Sequence, residues 1–232
     1  MRALLAAAAD ILLGARCPGC GRPALTLCRP CGESVRPDPR LAWPQPTPEL
    51  LRHPTRVPPV AAGVNADVLR RVLLGWKEEG MFGLTGVLSH HLAASVAQHA
   101  RPGRDVVLVP VPTSRRSKRL RGSDLVDELA RGSVRLLGDV GIDARVVQAL
   151  THIRTTADQA GLGSSQRTAN LAGAFGVRTL RGLDGRDVVV VDDILTTGAT
   201  VTEAVRVLTG AGHRPSGIAV VAATPRRPVG SR

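Results

Sequence analysis

Residues Val188-Val189-Val190-Val191-Asp192-Asp193-Ile194-Leu195-Thr196-Thr197-Gly198-Ala199-Thr200 constrain this chain more than any other segment. Four β-branched residues run into two carboxylates, then into a small-residue turn, then into a helical pattern from Val201 to Leu208. That order reads as a buried parallel strand, a loop at its carboxyl end and a helix start, where open α/β sheets bind their ligands. The Thr- and Gly-rich turn lets backbone N–H groups approach a bound group, and the positive helix end behind them suits a phosphate. The adjacent acids cannot serve that phosphate. They suit vicinal hydroxyls or a hard cation such as Mg²⁺. Together the two halves point to a ribose 5-phosphate whose hydroxyls face the carboxylates. A strand–turn–helix with a mere capping Asp needs one carboxylate and leaves the second idle at the sheet edge.

These thirteen residues resemble the signature of the phosphoribosyltransferase fold: four apolar residues, two acids, a short spacer, then Thr-Thr-Gly-x-Thr. The resemblance implies that Asp192 and Asp193 hold the ribose hydroxyls of phosphoribosyl pyrophosphate, with Mg²⁺ as its companion ion. It also implies that Thr196, Thr197, Gly198, Ala199 and Thr200 hold the 5-phosphate.

All four cysteines lie near the N-terminus, as Cys17-Pro18-Gly19-Cys20 and Cys28-Arg29-Pro30-Cys31. Each CxxC turns two thiolates toward one point, and four thiolates make a closed tetrahedral Zn²⁺ site, structural rather than catalytic. Two disulfides would need an oxidising compartment. A redox motif would need only one pair and normally opens a helix after a strand.

Before the knuckle, Leu4 to Ala9 follow Arg2 in the manner of a secretory leader, but Asp10 interrupts the run and Arg16 directly precedes Cys17. Leu4, Leu5, Ala8, Ile11 and Leu12 share one helical face, so a short amphipathic helix is expected there. No run is long enough to span a bilayer, and a cytoplasmic location is expected.

The expected organisation is a helix and zinc knuckle over 1–36, a Pro-rich linker over 37–62, the main domain over 63–224 and a disordered tail over 225–232. The eight prolines between Pro37 and Pro59 argue against any regular element in the linker. Helices are expected over Ala66–Lys77, Leu84–His99, Leu125–Leu137, Ser165–Leu171 and Ala199–Leu208. Strands are expected over Asp105–Val111, Ala144–Leu150, Asp187–Val191 and Gly217–Ala223. Strands alternating with helices imply an α/β fold, a parallel sheet with helices on both faces. A length of 232 residues suits one such domain and a small appendage.

The formal net charge is +12, and Lys occurs only at 77 and 118, so the rest of the basic charge is Arg. A chain this basic seeks polyanions such as pyrophosphate, nucleotide or nucleic acid. The charge concentrates in Pro112-Thr113-Ser114-Arg115-Arg116-Ser117-Lys118-Arg119-Leu120-Arg121-Gly122, which follows a strand end and opens on the same edge as the phosphate cradle. Arg115, Arg116, Lys118, Arg119 and Arg121 suit either a pyrophosphate leaving group or the phosphates of a polynucleotide.

Further residues narrow the resemblance. Gln159-Ala160-Gly161-Leu162, then Arg167, Asn170, Leu171 and Gly173-Ala174-Phe175, precede the signature strand, and Lys77 and Gly80 form a Lys-x-x-Gly element. With the four-Cys knuckle and the Pro-Val-Pro loop, this order resembles the ComF family of bacterial competence proteins over nearly the whole chain. The resemblance implies a phosphoribosyltransferase-like domain, a link to DNA uptake, and single-stranded DNA and competence-machinery proteins as partners. Three departures stand out. Ser123-Asp124-Leu125 replaces Phe-Asn-Gln after Arg-Gly, Glu78 replaces a Tyr after Lys77, and Gly163-Ser164 replaces Ser-Arg in the hood. The base-facing side is altered while the ribose-phosphate side is intact.

Relatives acting on oxopurines place an acid where Thr196 stands, so an oxopurine acceptor is disfavoured. No His is expected to substitute: His90, His91 and His99 fall on a helix, and His53, His152 and His213 in loops or at element ends. Two functions follow. One is an Mg²⁺-dependent phosphoribosyltransferase or related ribose-phosphate enzyme. The other is a non-catalytic DNA-uptake accessory, although two Phe, two Trp and no Tyr give little for bases to stack on.

Overall fold

The computed structural model describes residues 15–52, 57–113, 122–153 and 173–225. The core is a six-stranded sheet built from the most β-branched runs of the chain. Its strands are β1 (Arg40–Leu41), β2 (Pro59–Ala61), β3 (Val106–Pro110), β4 (Ala144–Val146), β7 (Asp187–Leu195) and β8 (Gly217–Ala223), in the order β1-β2-β8-β7-β3-β4. All neighbours are parallel except the edge strand β1. Val106 to Val109, Val188 to Val191 and Ile218 to Ala222 are buried, as expected of strands covered on both faces. A separate antiparallel pair joins β5 (Leu150–His152) to β6 (Phe175–Val177).

The helices are α1 (Arg29–Ser34), α2 (Glu49–Arg52), α3 (Asp67–Glu78), α4 (Thr85–Ala97), α5 (Leu125–Gly138) and α6 (Ala199–Gly210), with a 3₁₀ turn at Phe82–Leu84. The β3–α5–β4 connection steps one way along the sheet and β7–α6–β8 the other, so right-handed crossovers put α5 and α6 on opposite faces. Helix α4 packs on α5 and β8. Small residues permit the close approach, since a Cβ on Gly132 would stand 2.9 Å from Ser89 Cβ. Helix α6 packs on β6, β7 and α2.

Three expectations need correction. The Pro-rich segment is not wholly irregular: it contains β1 and α2 and ends in β2, whose Val60 and Ala61 pair with Ala219 and Val220. Proline is tolerated there because β1 is an edge and Pro59 begins its strand. Ala144–Leu150 is two strands rather than one, because the chain turns at Val147–Ala149 and leaves for the second sheet. The signature strand continues to Leu195, so both acids belong to the strand and not to the loop. The expected N-terminal helix, the Ser165–Leu171 helix and most of the tail lie outside the described residues.

Candidate functional site

Adjacent strands β3 and β7 send their connections in opposite directions, which makes the gap beyond their carboxyl ends the switch point of the sheet. Pairing of β3 with β7 stops at Pro110↔Val191, whereas β7 stays paired with β8 through Leu195↔Ala223. The strand therefore outruns its neighbour on one side, and Asp192 and Asp193 sit on the resulting step. Both carboxylates are buried. The Asp193 N–H donates to Asp192 Oδ1 at 2.8 Å, and the Ile194 N–H donates to Asp193 Oδ1 at 2.7 Å. Lys77, from the last turn of α3, places Nζ 2.5 Å from Asp193 Oδ2. Burial holds the Asp192 carboxyl well above the usual carboxylate range, the neighbouring Asp193 charge adds to this, and Lys77 opposes it.

The turn after β7 is shaped by a glycine. Gly198 caps α6 with φ +77°, a left-handed conformation that a side chain disfavours, and the Ala199 N–H lies 3.4 Å from Thr197 Oγ1. Thr196 is exposed and Thr197 and Thr200 are half-buried, while Gly198 and Ala199 are buried. The Pro-rich segment lies over this turn: a Cβ on Gly198 would meet Pro44 Cγ at 2.8 Å.

Of the basic loop, Arg115, Arg116, Lys118, Arg119 and Arg121 lie outside the described residues, as do Gln159 and Arg167 of the hood. The flanks of the loop are tied together. The Thr113 hydroxyl donates to Asp124 Oδ1 at 2.7 Å, and Asp124 in turn caps α5. Thr113 and Asp124, on the two sides of that segment, are thus in contact close to the carboxyl end of β3.

A cavity of about 980 Å³ opens on the other side of Thr196. Trp43, Leu69, His91, Leu195 and Thr224 are among its lining residues. His91 hydrogen-bonds through Nδ1 to the Val87 carbonyl at 2.9 Å, and burial lowers its pKa, so it is a neutral core histidine. His99, likewise buried, bonds the Ile218 carbonyl. His152 reaches the Pro112 carbonyl at 2.9 Å and meets the Phe175 ring edge-on. Each of these three histidines thus bonds a backbone carbonyl.

The four cysteines converge. The Sγ atoms of Cys17, Cys20, Cys28 and Cys31 all lie within 4.8 Å of one another, and all four thiols are free. Tetrahedral zinc with Zn–S bonds near 2.3 Å places its sulfurs roughly 3.8 Å apart, so this set fits the ion. Burial works against ionising Cys17, but N–H groups led by that of Cys28 outweigh it and bring the thiol to about 6. Burial and the other thiols push Cys31 up to about 12. The knuckle docks on α3, where Arg71 Nε donates to the Gly19 carbonyl at 2.9 Å.

The acid pair is a poorer fit for a metal. Three of its four oxygens already accept, from the Asp193 N–H, the Ile194 N–H and Lys77. Mg²⁺ is usually held by one or two carboxylates with waters completing its shell, and here Lys77 already occupies the outer oxygen of Asp193. Sequence reasoning missed this partnership of Lys77 with Asp193, although the Lys-x-x-Gly element marked the position.

Among the described residues no helix is long and apolar enough to cross a membrane. The phosphoribosyl transferase domain model matches residues 90–231. The DNA utilization protein YhgH of Salmonella typhimurium is 30% identical over 203 residues, covering 83% of this chain and 77% of that protein. An adenine phosphoribosyltransferase of Rhodococcus opacus is 58% identical over 40 residues, 17% of this chain and 23% of the enzyme. A hypoxanthine phosphoribosyltransferase structure from Staphylococcus aureus covers 64% of this chain and 69% of its own at 12% identity, with a TM-score of 0.32. With a signature strand at the switch point, a glycine-capped turn after it and a four-cysteine cluster, the chain belongs to the phosphoribosyl transferase domain family and, within it, to the ComF-like proteins.

Proposed function

We propose that the β7–α6 edge binds the ribose 5-phosphate part of phosphoribosyl pyrophosphate or of a nucleotide. One observation carries this reading: two buried carboxylates stand on the open step of β7, six and five residues before a left-handed glycine that caps a helix. The carboxylates accept from ribose hydroxyls. The N–H groups of residues 197 to 200 donate to the 5-phosphate, aided by the positive end of α6. The cationic charge of 115–121 suits the pyrophosphate group. Mg²⁺ bound to that group would neutralise part of its charge.

In a transfer reaction a nucleophile forms its bond to the anomeric carbon as the carbon–oxygen bond to pyrophosphate breaks. The electron pair leaves with pyrophosphate, and the proton of the nucleophile passes to water. The cavity beyond Thr196 is the space left for such an acceptor. Four free thiols suit a zinc knuckle in the reducing cytoplasm.

A second reading is favoured by the DNA utilization proteins among the relatives. In it the nucleotide site regulates a non-catalytic accessory to DNA uptake that contacts single-stranded DNA through the basic loop and docks on competence proteins.

Calorimetric titration with phosphoribosyl pyrophosphate, with and without Mg²⁺, tests the ribose-phosphate site that both readings share. Saturable binding that is lost on combining Asp192→Asn with Asp193→Asn supports the ribose-phosphate site. Absence of binding at millimolar ligand rejects it. Release of pyrophosphate with candidate acceptors then distinguishes enzyme from accessory.

A further inference from the structure

The Lys77–Asp193 contact joins residues 116 positions apart and is built from both sides. Asp193 is held by its own strand. Lys77 is held by the end of its helix: Gly80, with φ +70°, stops α3, and the Met81 N–H folds back to the Gly75 carbonyl at 3.1 Å. The Lys-x-x-Gly spacing is the distance from the last helical turn to its terminating glycine, and a cation is favoured in that turn by the helix dipole.

The residues beside Lys77 are pinned as well. Trp76 is fully buried and its indole N–H donates to Thr85 Oγ1 at 3.0 Å. Gly75 sits so close to the knuckle and the following turn that a Cβ there would come 2.9 Å from Met81 Sδ and 3.4 Å from Pro18 Cβ. Lys77 itself is 34% exposed at the side chain and Asp193 only 6%, so the carboxylate is inside and the ammonium forms its outer wall.

An ion at this place is what the acid pair otherwise lacks. Two adjacent carboxylates taken out of water repel each other and need a nearby positive charge. A divalent ion supplies it at many acidic sites. Here a side chain already stands where the ion would bind, within hydrogen-bond distance of Asp193 Oδ2.

We propose that Lys77 is the resident cation of the acid pair. It orients the Asp193 carboxylate and takes the place a divalent ion would occupy, so the pair selects the hydroxyls of a ribose 5-phosphate over a metal. Lys77 is a positioning residue for sugar binding and an excluder of cations. The proposal rests on the ribose-phosphate reading for its ligand, but its cation half stands apart from that reading.

The test compares wild type with Lys77→Met and Lys77→Arg as zinc-loaded full-length proteins. The probes are Mn²⁺, followed by electron paramagnetic resonance, and D-ribose 5-phosphate, followed by calorimetry without added divalent ions. Lys77→Met is expected to bind Mn²⁺ roughly tenfold more tightly than wild type, the size expected when one charge leaves a partly buried pair. Adding Asp192→Asn and Asp193→Asn should abolish that gain, and Lys77→Arg should restore exclusion. Ribose 5-phosphate affinity should fall about tenfold in Lys77→Met and recover in part with Mn²⁺. Equal Mn²⁺ affinity in wild type and Lys77→Met, in proteins of matching circular dichroism, overturns the proposal. Failure of ribose 5-phosphate to bind wild type rejects the ribose-phosphate reading instead, and the Mn²⁺ comparison still decides the role of Lys77.

Discussion

Pro44 lies directly on Gly198: a Cβ at position 198 would stand 2.8 Å from the proline Cγ. The Pro-rich segment and the turn between β7 and α6 are therefore one packed unit. Gly198→Ala meets two obstacles at once, a left-handed backbone that costs about 1–2 kcal/mol for an L-residue and a collision with a buried ring. Urea unfolding should show a loss of at least about 1 kcal/mol, and titration should show loss of ribose 5-phosphate binding. A variant as stable as wild type would mean that the contact is not tight.

At the amino end of β7, Asp187 is buried and paired with Arg101 and Arg104. The hydrogen bond from Arg101 is the largest influence that lowers its pKa, against the cost of burial. The folded value lies below the unfolded one, so its stabilisation is present above the unfolded pKa and is lost as pH falls through the folded pKa. Asp187→Asn should cost about 2 kcal/mol at neutral pH, the scale of a hydrogen bond to a charged group. Its stability should also fall less steeply than that of wild type below about pH 4. Parallel acid-unfolding curves for the two proteins would contradict the assignment.

The cysteine cluster predicts a bound metal with structural consequences. Purified protein should contain about one zinc per chain, and Cys17→Ser should lose it. Because Arg71 on α3 grips the Gly19 carbonyl, removing zinc should also speed hydrogen exchange over Asp67–Glu78. Unchanged exchange there would show that the knuckle and α3 are independent.

The basic loop predicts a salt dependence. If Arg115, Arg116, Lys118, Arg119 and Arg121 each neutralise one phosphate of single-stranded DNA, the logarithm of affinity should fall against the logarithm of salt with a slope of about −3.5. Replacing all five by Ser should remove that slope. A slope that survives the replacement assigns DNA contact to another surface.

The strands and helices that frame the site were legible because their signals are local. Val188 to Val191 is continuously β-branched, Gly217–Ala223 appears with the bounds expected, and the periodicity of α3 and α5 places their ends within about two residues. The cysteines were equally legible, since paired CxxC spacing has few other uses. The Pro-rich segment misled because proline excludes central strands but not an edge or a first strand residue, and only the sheet shows which applies. The break at Val147–Ala149 was hidden because an apolar stretch looks the same whether one sheet or two receives it. By itself the sequence determined a parallel α/β sheet, an acid pair before a glycine-rich turn and a four-thiol cluster, all set by neighbours in the chain. Only the tertiary structure decided that the acids stand on a step between β3 and β7, that Lys77 faces one of them, and that Pro44 covers the turn after β7. Those contacts join segments far apart in the chain, where no local pattern carries the distance.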